Sequence, residues 1–256
     1  MVRTQTDRLT GSAGTDGEQT ASTRILVRII ATTLPVFVLA FILIPTGFSP
    51  IFRIFDIPSR AMEPTLPTGS EVIVSRLPYG YSRYSFDWFE LPISGRWPAP
   101  EIHRGDVAVF RLPRDLKTFY IKRVVGLPGD EVSMVKGQLV LNRTPVRREP
   151  SGTMPNPNLP YRGDSYIAPP APMYLEHPPG AEPYQILETA DGNGPLSNVG
   201  PYIVPAGNVF VLGDNRDNST DSRVSAQQGG VGFVPIDLLI GKVVYKLPFP
   251  ALPTTR

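Results

Sequence analysis

The order of apolar and polar positions divides the chain into three parts. Residues 1–23 are polar, and they predict a disordered tail because they have no apolar period that could bury surface. Residues 24–48 contain an uncharged run from Ile29 to Phe48, about 20 residues, which matches a bilayer core of about 30 Å at about 1.5 Å per residue. This run predicts a transmembrane anchor, and a buried core helix is the alternative.

The flanks of the apolar run bear on its processing and its orientation. A cleaved signal peptide needs a shorter apolar core and a small-x-small exit, and residues 45–48 provide neither. Arg24 and Arg28 precede the run while Arg53 and Arg60 follow it, so the charges alone leave the orientation open. A short tail before the run and a long domain after it are compatible with an inside amino terminus and a translocated carboxy-terminal domain.

Short apolar runs of strand length continue from residue 49 to residue 256 and predict a mainly antiparallel β domain. These runs are Glu71–Val74, Asp106–Phe110, Phe119–Val125, Gln138–Leu141, Asn208–Leu212 and Leu239–Tyr245. Between about 147 and 205 the composition shifts to Pro, Gly, Asn and Tyr, which predicts a loop-dominated insertion or small cap. The predicted fold is therefore mainly β, with a single N-terminal transmembrane helix followed by an all-β domain that carries an irregular insertion.

Composition narrows the classes of protein further. Thirty prolines in 256 residues favour a loop-rich β protein over a helical bundle, because proline is confined to turns, bulges and strand edges. The net charge of +2 gives no reason to expect nucleic acid as a partner. The absence of cysteine excludes disulfides and thiolate sites, and two histidines, His103 and His177, leave little room for a metal cluster.

An aromatic segment, residues 79–89, lies shortly after the apolar run. Its rings are Tyr79, Tyr81, Tyr84, Phe86, Trp88 and Phe89. Rings with one polar end favour the lipid headgroup level. The segment either touches the membrane surface or forms an ordered loop packed on the sheet.

Four segments together carry the most specific pattern of the chain. They are Ser59–Leu66, Arg104–Phe110, Tyr120–Asp130 and Gly213–Arg223. In this order they resemble the type I signal peptidases (leader peptidases), bacterial membrane serine proteases with a Ser-Lys dyad, over residues of roughly 50 to 247. The family pattern around the nucleophile is Ser-x-Ser-Met-x-Pro-Thr-Leu, and this chain has Ala61 where the nucleophilic serine stands. Smaller departures are Arg60, where glycine is common, and Val231, where the family often has an aromatic residue.

The resemblance implies a role for each matching position. Lys122 matches the general base, Ser59 the hydroxyl of the oxyanion hole, and Ser219 the serine that orients the lysine. Asp221 and Arg223 match a charged pair that braces the site.

The residues around Lys122 agree with the role of a base. A strand over residues 118–125 places Tyr120, Lys122 and Val124 on one face. Burial among such neighbours lowers the pKa of an amine, and a neutral lysine can accept a proton. Without the resemblance, a lone lysine in a strand would be interpreted as a solvated edge residue.

Ala61 removes the attacking hydroxyl but keeps the backbone N–H that would join Ser59 in the oxyanion hole. A methyl group cannot attack a carbonyl, so covalent acyl transfer is lost at this position. Ser59 lies two residues away, and two residues of extended chain move its hydroxyl by about 6.5 Å. We therefore expect neither Ser59 nor Thr65 to replace the missing serine.

The acid-rich turn from Asp214 to Asp221 could also be interpreted as a calcium loop. Arg216 falls where a ligand should be, however, and no glycine makes the bend. We expect neither a metal nor a cofactor.

The resemblance implies a membrane-bound endopeptidase that cleaves signal peptides from exported preproteins. It places such a chain in the bacterial cytoplasmic (inner) membrane as a single-pass protein, with the N-terminus inside and the β domain on the outer, periplasmic face. The implied partners are preproteins with signal peptides and the lipid bilayer. With Ala61 at the nucleophile position, we expect the chain to be inactive.

Three hypotheses remain open from the sequence. The chain is a signal peptidase whose nucleophile was replaced deliberately, or a natural non-catalytic paralogue that binds signal peptides or regulates export. The third hypothesis is a membrane-anchored binding protein without catalytic ancestry, and it would be favoured if Lys122 were exposed and remote from Ala61. Retention of Lys122 with its matching partners favours a recent or engineered loss, because without catalysis there is little physical reason to keep a desolvated lysine.

Overall fold

The computed structural model describes residues 27–39, 49–156, 170–190 and 192–247. The predicted tail and residues 24–26 and 40–48 of the predicted anchor lie outside them. The chain divides into two compact units, Met1–Ser49 and Pro50–Arg256.

In the first unit, residues 27–39 form a helix, α1, which covers the beginning of the predicted anchor. The hydroxyls of Thr32 and Thr33 donate hydrogen bonds of 2.9 Å to carbonyls one turn earlier in the helix. Where the chain is described, the structure contains no helix that combines the length and the apolar character needed to cross a membrane.

The described part of the second unit is built from β-strands. They are β1 (Phe52–Asp56), β2 (Glu71–Ser75), β3 (Val107–Arg111), β4 (Phe119–Gly126), β5 (Glu131–Val135), β6 (Gln138–Leu141), β7 (Thr144–Pro145), β8 (Arg147–Met154), β9 (Ala171–His177), β10 (Tyr184–Leu187), β11 (Val199–Ile203), β12 (Asn208–Leu212), β13 (Val234–Pro235) and β14 (Leu239–Lys246). Short 3₁₀ helices occur at Arg60–Met62, Leu77–Tyr79, Ala226–Gln228 and Ile236–Leu238. The prediction of a mainly β fold is confirmed, and each of the six predicted runs lies in a strand.

Three antiparallel sheets organise these strands. The largest has the order β1-β2-β14-β3-β4-β12-β13, a second has the order β11-β5-β6-β7, and a third has the order β10-β9-β8. Consecutive residues of β3 face opposite sides of the large sheet, as the period of a strand requires. Ala108 and Phe110 pack in one apolar cluster, whereas Val109 packs in another with Ile57 and Met62. The large sheet is therefore covered on both faces.

The large sheet has open strand edges at β1 and β4 among the described residues. β1 is an end strand, and β2 is its neighbour on one side. β4 pairs with β3 along Phe119–Arg123, but β12 pairs only with its second half, from Arg123 to Gly126. The outer edge of β1 from Arg53 to Asp56 and the first half of β4 therefore have no strand partner among the described residues.

The segment between 147 and 205 differs from the loop-dominated insertion that the sequence predicts. Its described part contains β8, β9 and β10, and β11 joins the second sheet. Pro150 and Gly152 flank a register shift in β8, and Pro172 begins β9 one residue in. Proline cannot donate a ladder hydrogen bond, so strands tolerate it only at their ends, at edges and at irregularities. The prolines of these strands occupy such places, and the high proline content therefore concealed a real sheet.

The aromatic segment after β2 packs on the sheet and also presents rings to the solvent. Phe86 stacks on Phe89 at 4.9 Å between centroids, and Asp87 forms ion pairs with Arg53 and Arg111. Trp88 nevertheless remains 55% exposed. The segment is therefore an ordered loop packed on the sheet, and Trp88 leaves part of its aromatic surface exposed.

Candidate active site

A cleft of about 620 Å³ lies where the segment after β1, the first half of β4 and the loop after β12 come together. Its lining includes Phe55–Ser59, Ala61, Val109, Thr118–Lys122 and Asp217–Thr220. All four sequence segments that carry the family pattern thus contribute to one cavity. The cleft is the candidate active site.

Ala61 lies in the 3₁₀ turn Arg60–Met62 at the wall of the cleft and is 7% exposed. Its carbonyl accepts a hydrogen bond of 3.1 Å from the backbone N–H of Asn215. The side-chain amide of Asn215 donates to the carbonyl of Arg60, also at 3.1 Å. Met62 is fully buried beside it. The turn is therefore held from the loop after β12 and from the core.

Ser59 precedes this turn in an extended conformation, with φ of −124° and ψ of 157°. Its side chain makes no capping hydrogen bond to the turn, and the residue is exposed at the cleft. Both Ser59 and Ala61 border the same cavity. The predicted oxyanion-hole donors thus lie next to each other, on the side of the cleft formed by the segment after β1.

Lys122 lies in β4 and is only 4% exposed. Its Nζ donates a hydrogen bond of 3.1 Å to the carbonyl of Ile121, and it lies 5.4 Å from the centre of the Tyr120 ring. Burial lowers the pKa of Lys122 to about 8, while the charges of Asp221 and Asp214 oppose this shift and that of Arg223 adds to it. The predicted desolvated lysine is present, and it borders the same cleft as Ala61.

The lowered pKa of Lys122 predicts a pH profile for any variant that has a serine at position 61. Only the neutral amine can take the proton of that serine, so kcat/KM should rise with pH through a midpoint near about 8. Below the midpoint it should fall about tenfold for each pH unit. Steady-state cleavage of a peptide substrate in the Ala61→Ser variant, measured across the neutral and alkaline range, checks this. A profile that is flat through the midpoint would contradict the role of Lys122.

Ser219 lines the cleft with Lys122, and its Oγ is buried without a hydrogen-bond partner in the described part of the chain. The predicted contact in which its hydroxyl orients the lysine is thus not formed. Gly213 explains how closely the chain packs here. A Cβ added to Gly213 would collide with Ser219 Oγ and would lie 2.6 Å from the carbonyl oxygen of Ala61. Only glycine permits this approach of the loop to the turn.

Asp221 and Arg223 form the ion pair that the resemblance implies. Arg223 donates to the two carboxylate oxygens through Nε and Nη2, both at 2.9 Å, and Gly213 N–H donates to the same carboxylate at 3.1 Å. Burial opposes ionisation, but the charge and hydrogen bonds of Arg223 together with the Gly213 N–H outweigh it and lower the pKa of Asp221. The carboxylate therefore stays charged beside Lys122.

Sequence reasoning missed three residues that hold this site. Arg123, next to Lys122, forms a two-bond ion pair with Asp214 at 2.7 and 2.6 Å. Asn215 holds the turn at Ala61, as described above. All three residues lie within the motif segments, so the motifs themselves were the available signal.

Glu176 is a further residue that sequence reasoning missed. It lies in the inserted sheet and pairs with Arg216 of the loop after β12. The two residues are 40 positions apart in the chain, and no local pattern joins them. Nothing in the sequence alone could have found this pair.

The geometry agrees with comparison to known proteins. The sequence model of the family described as signal peptidase, peptidase S26, matches residues 26–247. The chain belongs to the signal peptidase family. This signal peptidase chain is 36% identical over 205 residues to "Signal peptidase I" of Rickettsia typhi, covering 76% of this chain and 71% of that protein. It is 34% identical over 202 residues to "Signal peptidase I" of Rickettsia conorii, with the same coverage of 76% and 71%.

A solved structure is also similar. The crystal structure of a signal peptidase I from Enterococcus faecalis matches this chain with 26% sequence identity and a TM-score of 0.31. The match covers 56% of this chain and 97% of that one.

Family membership overturns the third hypothesis from the sequence. A binding protein without catalytic ancestry would not match a peptidase family over residues 26–247. An exposed Lys122 remote from Ala61 would have favoured it, whereas Lys122 is buried and borders the same cleft. The chain is a member of a family of hydrolases, and it has alanine at position 61.

Proposed function

We propose that this chain binds the signal peptides of exported preproteins in the cleft and, because of Ala61, does not cleave them. The observation that carries the proposal is the buried Lys122, with its pKa lowered to about 8, in one cleft with Ala61 in a member of the signal peptidase family. The activity to which the site is adapted is that of a serine endopeptidase with a Ser-Lys dyad.

The chemistry of that dyad assigns a task to each group. A serine at position 61 would attack the carbonyl carbon of the scissile bond and pass its proton to neutral Lys122. The hydroxyl of Ser59 and the backbone N–H at position 61 would donate to the developing oxyanion. Lys122 would then return the proton to the leaving amine. With Ala61 the first bond cannot form, while the binding surface and the oxyanion donors remain.

The open strand edges described above suit an extended peptide. A peptide that enters between the outer edge of β1 and the first half of β4 would satisfy backbone groups on both sides, as in β-strand addition. Phe55, Val109 and Ile121 give the cleft apolar walls. The resemblance to the signal peptidases implies that the bound segment ends in a small-x-small sequence, and we propose that the same holds here.

Membrane attachment completes the proposal. The uncharged run from Ile29 to Phe48 would span the bilayer once, with the N-terminus inside and the β domain on the outer face of a bacterial cytoplasmic membrane. In the described part of this run, apolar side chains such as Phe37 are 72% exposed, and a lipid environment would cover them. The exposed rings of Trp88 and Trp97 would lie at the headgroup level.

A second candidate function is that of a natural non-catalytic paralogue that holds signal peptides or regulates export. The observation that favours it is Ser219, whose Oγ is buried in the cleft without a hydrogen-bond partner among the described residues, so that the predicted contact with Lys122 is not formed. The two functions share the same bound state, and they differ in whether the remaining groups are still arranged for catalysis.

Binding without cleavage is the direct test. The full chain in detergent should retain a preprotein with an intact signal peptide, and the preprotein should remain uncut after prolonged incubation, because no group can attack the carbonyl. Binding is measured by fluorescence anisotropy of a labelled signal peptide, and integrity by gel electrophoresis. The matched control is the same peptide with its small residues replaced by tryptophan, which should bind at least about tenfold more weakly.

Two outcomes would contradict the proposal. Equal binding of both peptides would mean that the apolar cleft is not the binding site. Cleavage by the chain as it stands would mean that Ala61 is not at the nucleophile position.

A further inference from the structure

Glu176 lies in β9, the middle strand of the inserted sheet, and its side chain is completely buried. Arg216, in the loop after β12, is buried beside it and donates from Nη1 to Glu176 Oε1 at 2.7 Å and from Nη2 to Oε2. Burial alone would lower the pKa of Arg216, but the charge and hydrogen bonds of Glu176, together with Tyr184 and Asp214, outweigh this and raise it. The inserted sheet therefore holds a charged arginine of the loop through a two-bond ion pair.

Arg216 joins several parts of the loop through its other groups. Its Nε donates to the carbonyl of Gly213 at 3.2 Å, and its backbone N–H donates to the carbonyl of Leu187 at 2.9 Å. Its own carbonyl accepts a hydrogen bond of 2.6 Å from Arg223. The position of Arg216 thus fixes the beginning of the loop and the hydrogen bond that joins the loop to Arg223.

The same loop determines where the centre of the site lies. Asn215, the neighbour of Arg216, holds the carbonyls of Arg60 and Ala61, and Ser219 follows in the cleft wall. A displacement of the loop would therefore move the backbone at position 61. A misplacement of reacting groups by about 1 Å can cost about 100-fold in rate.

We propose that Glu176 is a positioning residue, which fixes the loop Gly213–Ser219, and through it position 61, by way of Arg216. If the carboxylate loses its charge, Arg216 is left as an uncompensated buried cation, which is far more costly than the loss of an exposed pair. The guanidinium of Arg216 must then bind water or lose its hydrogen bond to the carbonyl of Gly213. The catalytic part of this proposal rests on the proposed function, whereas its structural part does not.

Hydrogen exchange tests the structural part on the full chain with Ala61, in detergent. In Glu176→Gln, the amides of Gly213, Asn215 and Arg216 should exchange about tenfold faster or more, because the opening of this loop becomes less costly. Exchange is followed by mass spectrometry in peptides that cover residues 213–219. Glu176→Asp, which keeps the charge, should restore at least part of the protection.

Asp130 provides a matched control. It is buried, pairs with Arg104 at 3.0 Å, and accepts a hydrogen bond of 2.6 Å from Leu127 N–H, but it makes no described contact with the loop Gly213–Ser219. Asp130→Asn should speed exchange near Leu127 and leave residues 213–219 protected. Unchanged exchange in Glu176→Gln, or equal acceleration of residues 213–219 in both variants, would overturn the proposal.

The catalytic part of the proposal is tested in the Ala61→Ser variant. There Glu176→Gln should lower kcat about 100-fold and change KM less than about twofold, because the peptide-binding edges of β1 and β4 do not contact Glu176. Asp130→Asn should retain kcat. A rise in KM at constant kcat would overturn the positioning role. If the serine background itself cleaves nothing, the proposed function fails, and the exchange experiment still decides the role of Glu176.

Discussion

Replacing Ala61 by serine should turn this chain into a signal peptidase that cuts preproteins at least about 10⁴-fold faster than the parent chain. The reason is that Lys122 and position 61 border the same cleft. Lys122 is buried in the cleft with a pKa lowered to about 8, and Asn215 holds the turn that carries position 61. The change adds one oxygen at the wall of an existing cleft. Cleavage of a preprotein in detergent, followed by gel electrophoresis, measures it.

The outcome also separates the two functions that remain. Strong cleavage by Ala61→Ser would mean that an otherwise complete peptidase is silenced at one position. Ala61→Thr is a suitable control because it adds a hydroxyl on a bulkier, branched side chain, and it should recover far less activity. No cleavage by Ala61→Ser, with the signal peptide still bound, would instead favour a paralogue adapted to binding.

Lys122→Met in the serine background should abolish the recovered cleavage, with a loss of about 10⁴-fold or more in kcat/KM. Methionine has a similar length but cannot take a proton from the serine. The variant should fold, because it replaces a group whose burial is unfavourable for its charged form by an apolar side chain. Thermal unfolding followed by circular dichroism confirms the fold, and preprotein cleavage gives the rate.

Lys242→Met is the matched control for this loss. Lys242 lies in β14, outside the cleft, and forms an ion pair with Asp106 at 2.6 Å. Its replacement should leave cleavage within about threefold of the serine parent, since an ion pair of this partly exposed kind contributes little. Equal losses in the two lysine variants would show that charge or stability, rather than proton transfer, explains the effect at Lys122.

The sequence predicted the strands of the large sheet well because their residues are strongly biased. β2, β3, β4, β12 and β14 are rich in valine, isoleucine and phenylalanine, which suit a pleated and buried surface. The inserted sheet was missed for the opposite reason. β8 is polar and contains Pro150, and β9 contains Pro172, so local propensity argued against strands whose pairing is decided by tertiary contacts.

The candidate site was predictable to the extent that it lies in continuous motifs. Alternation along β4 was enough to place Lys122 between Tyr120 and Val124, on a face that the structure buries. The predicted contact of Ser219 with the lysine depends on side-chain rotation, and no sequence pattern encodes it. Glu176 lies in a segment without any motif, so its pairing with Arg216 could only be seen once the inserted sheet was folded against the loop.

The two open strand edges have a consequence for how long a ligand stays. When a peptidase cuts an added strand, each product keeps only part of the backbone hydrogen bonds, and dissociation becomes fast. Under the proposed function, a chain with alanine at position 61 does not divide its ligand, so the whole strand must leave at once. The residence time of the ligand would then be set by the full set of backbone contacts. In a membrane that also contains an active peptidase, the chain would withhold preproteins from processing in proportion to its abundance.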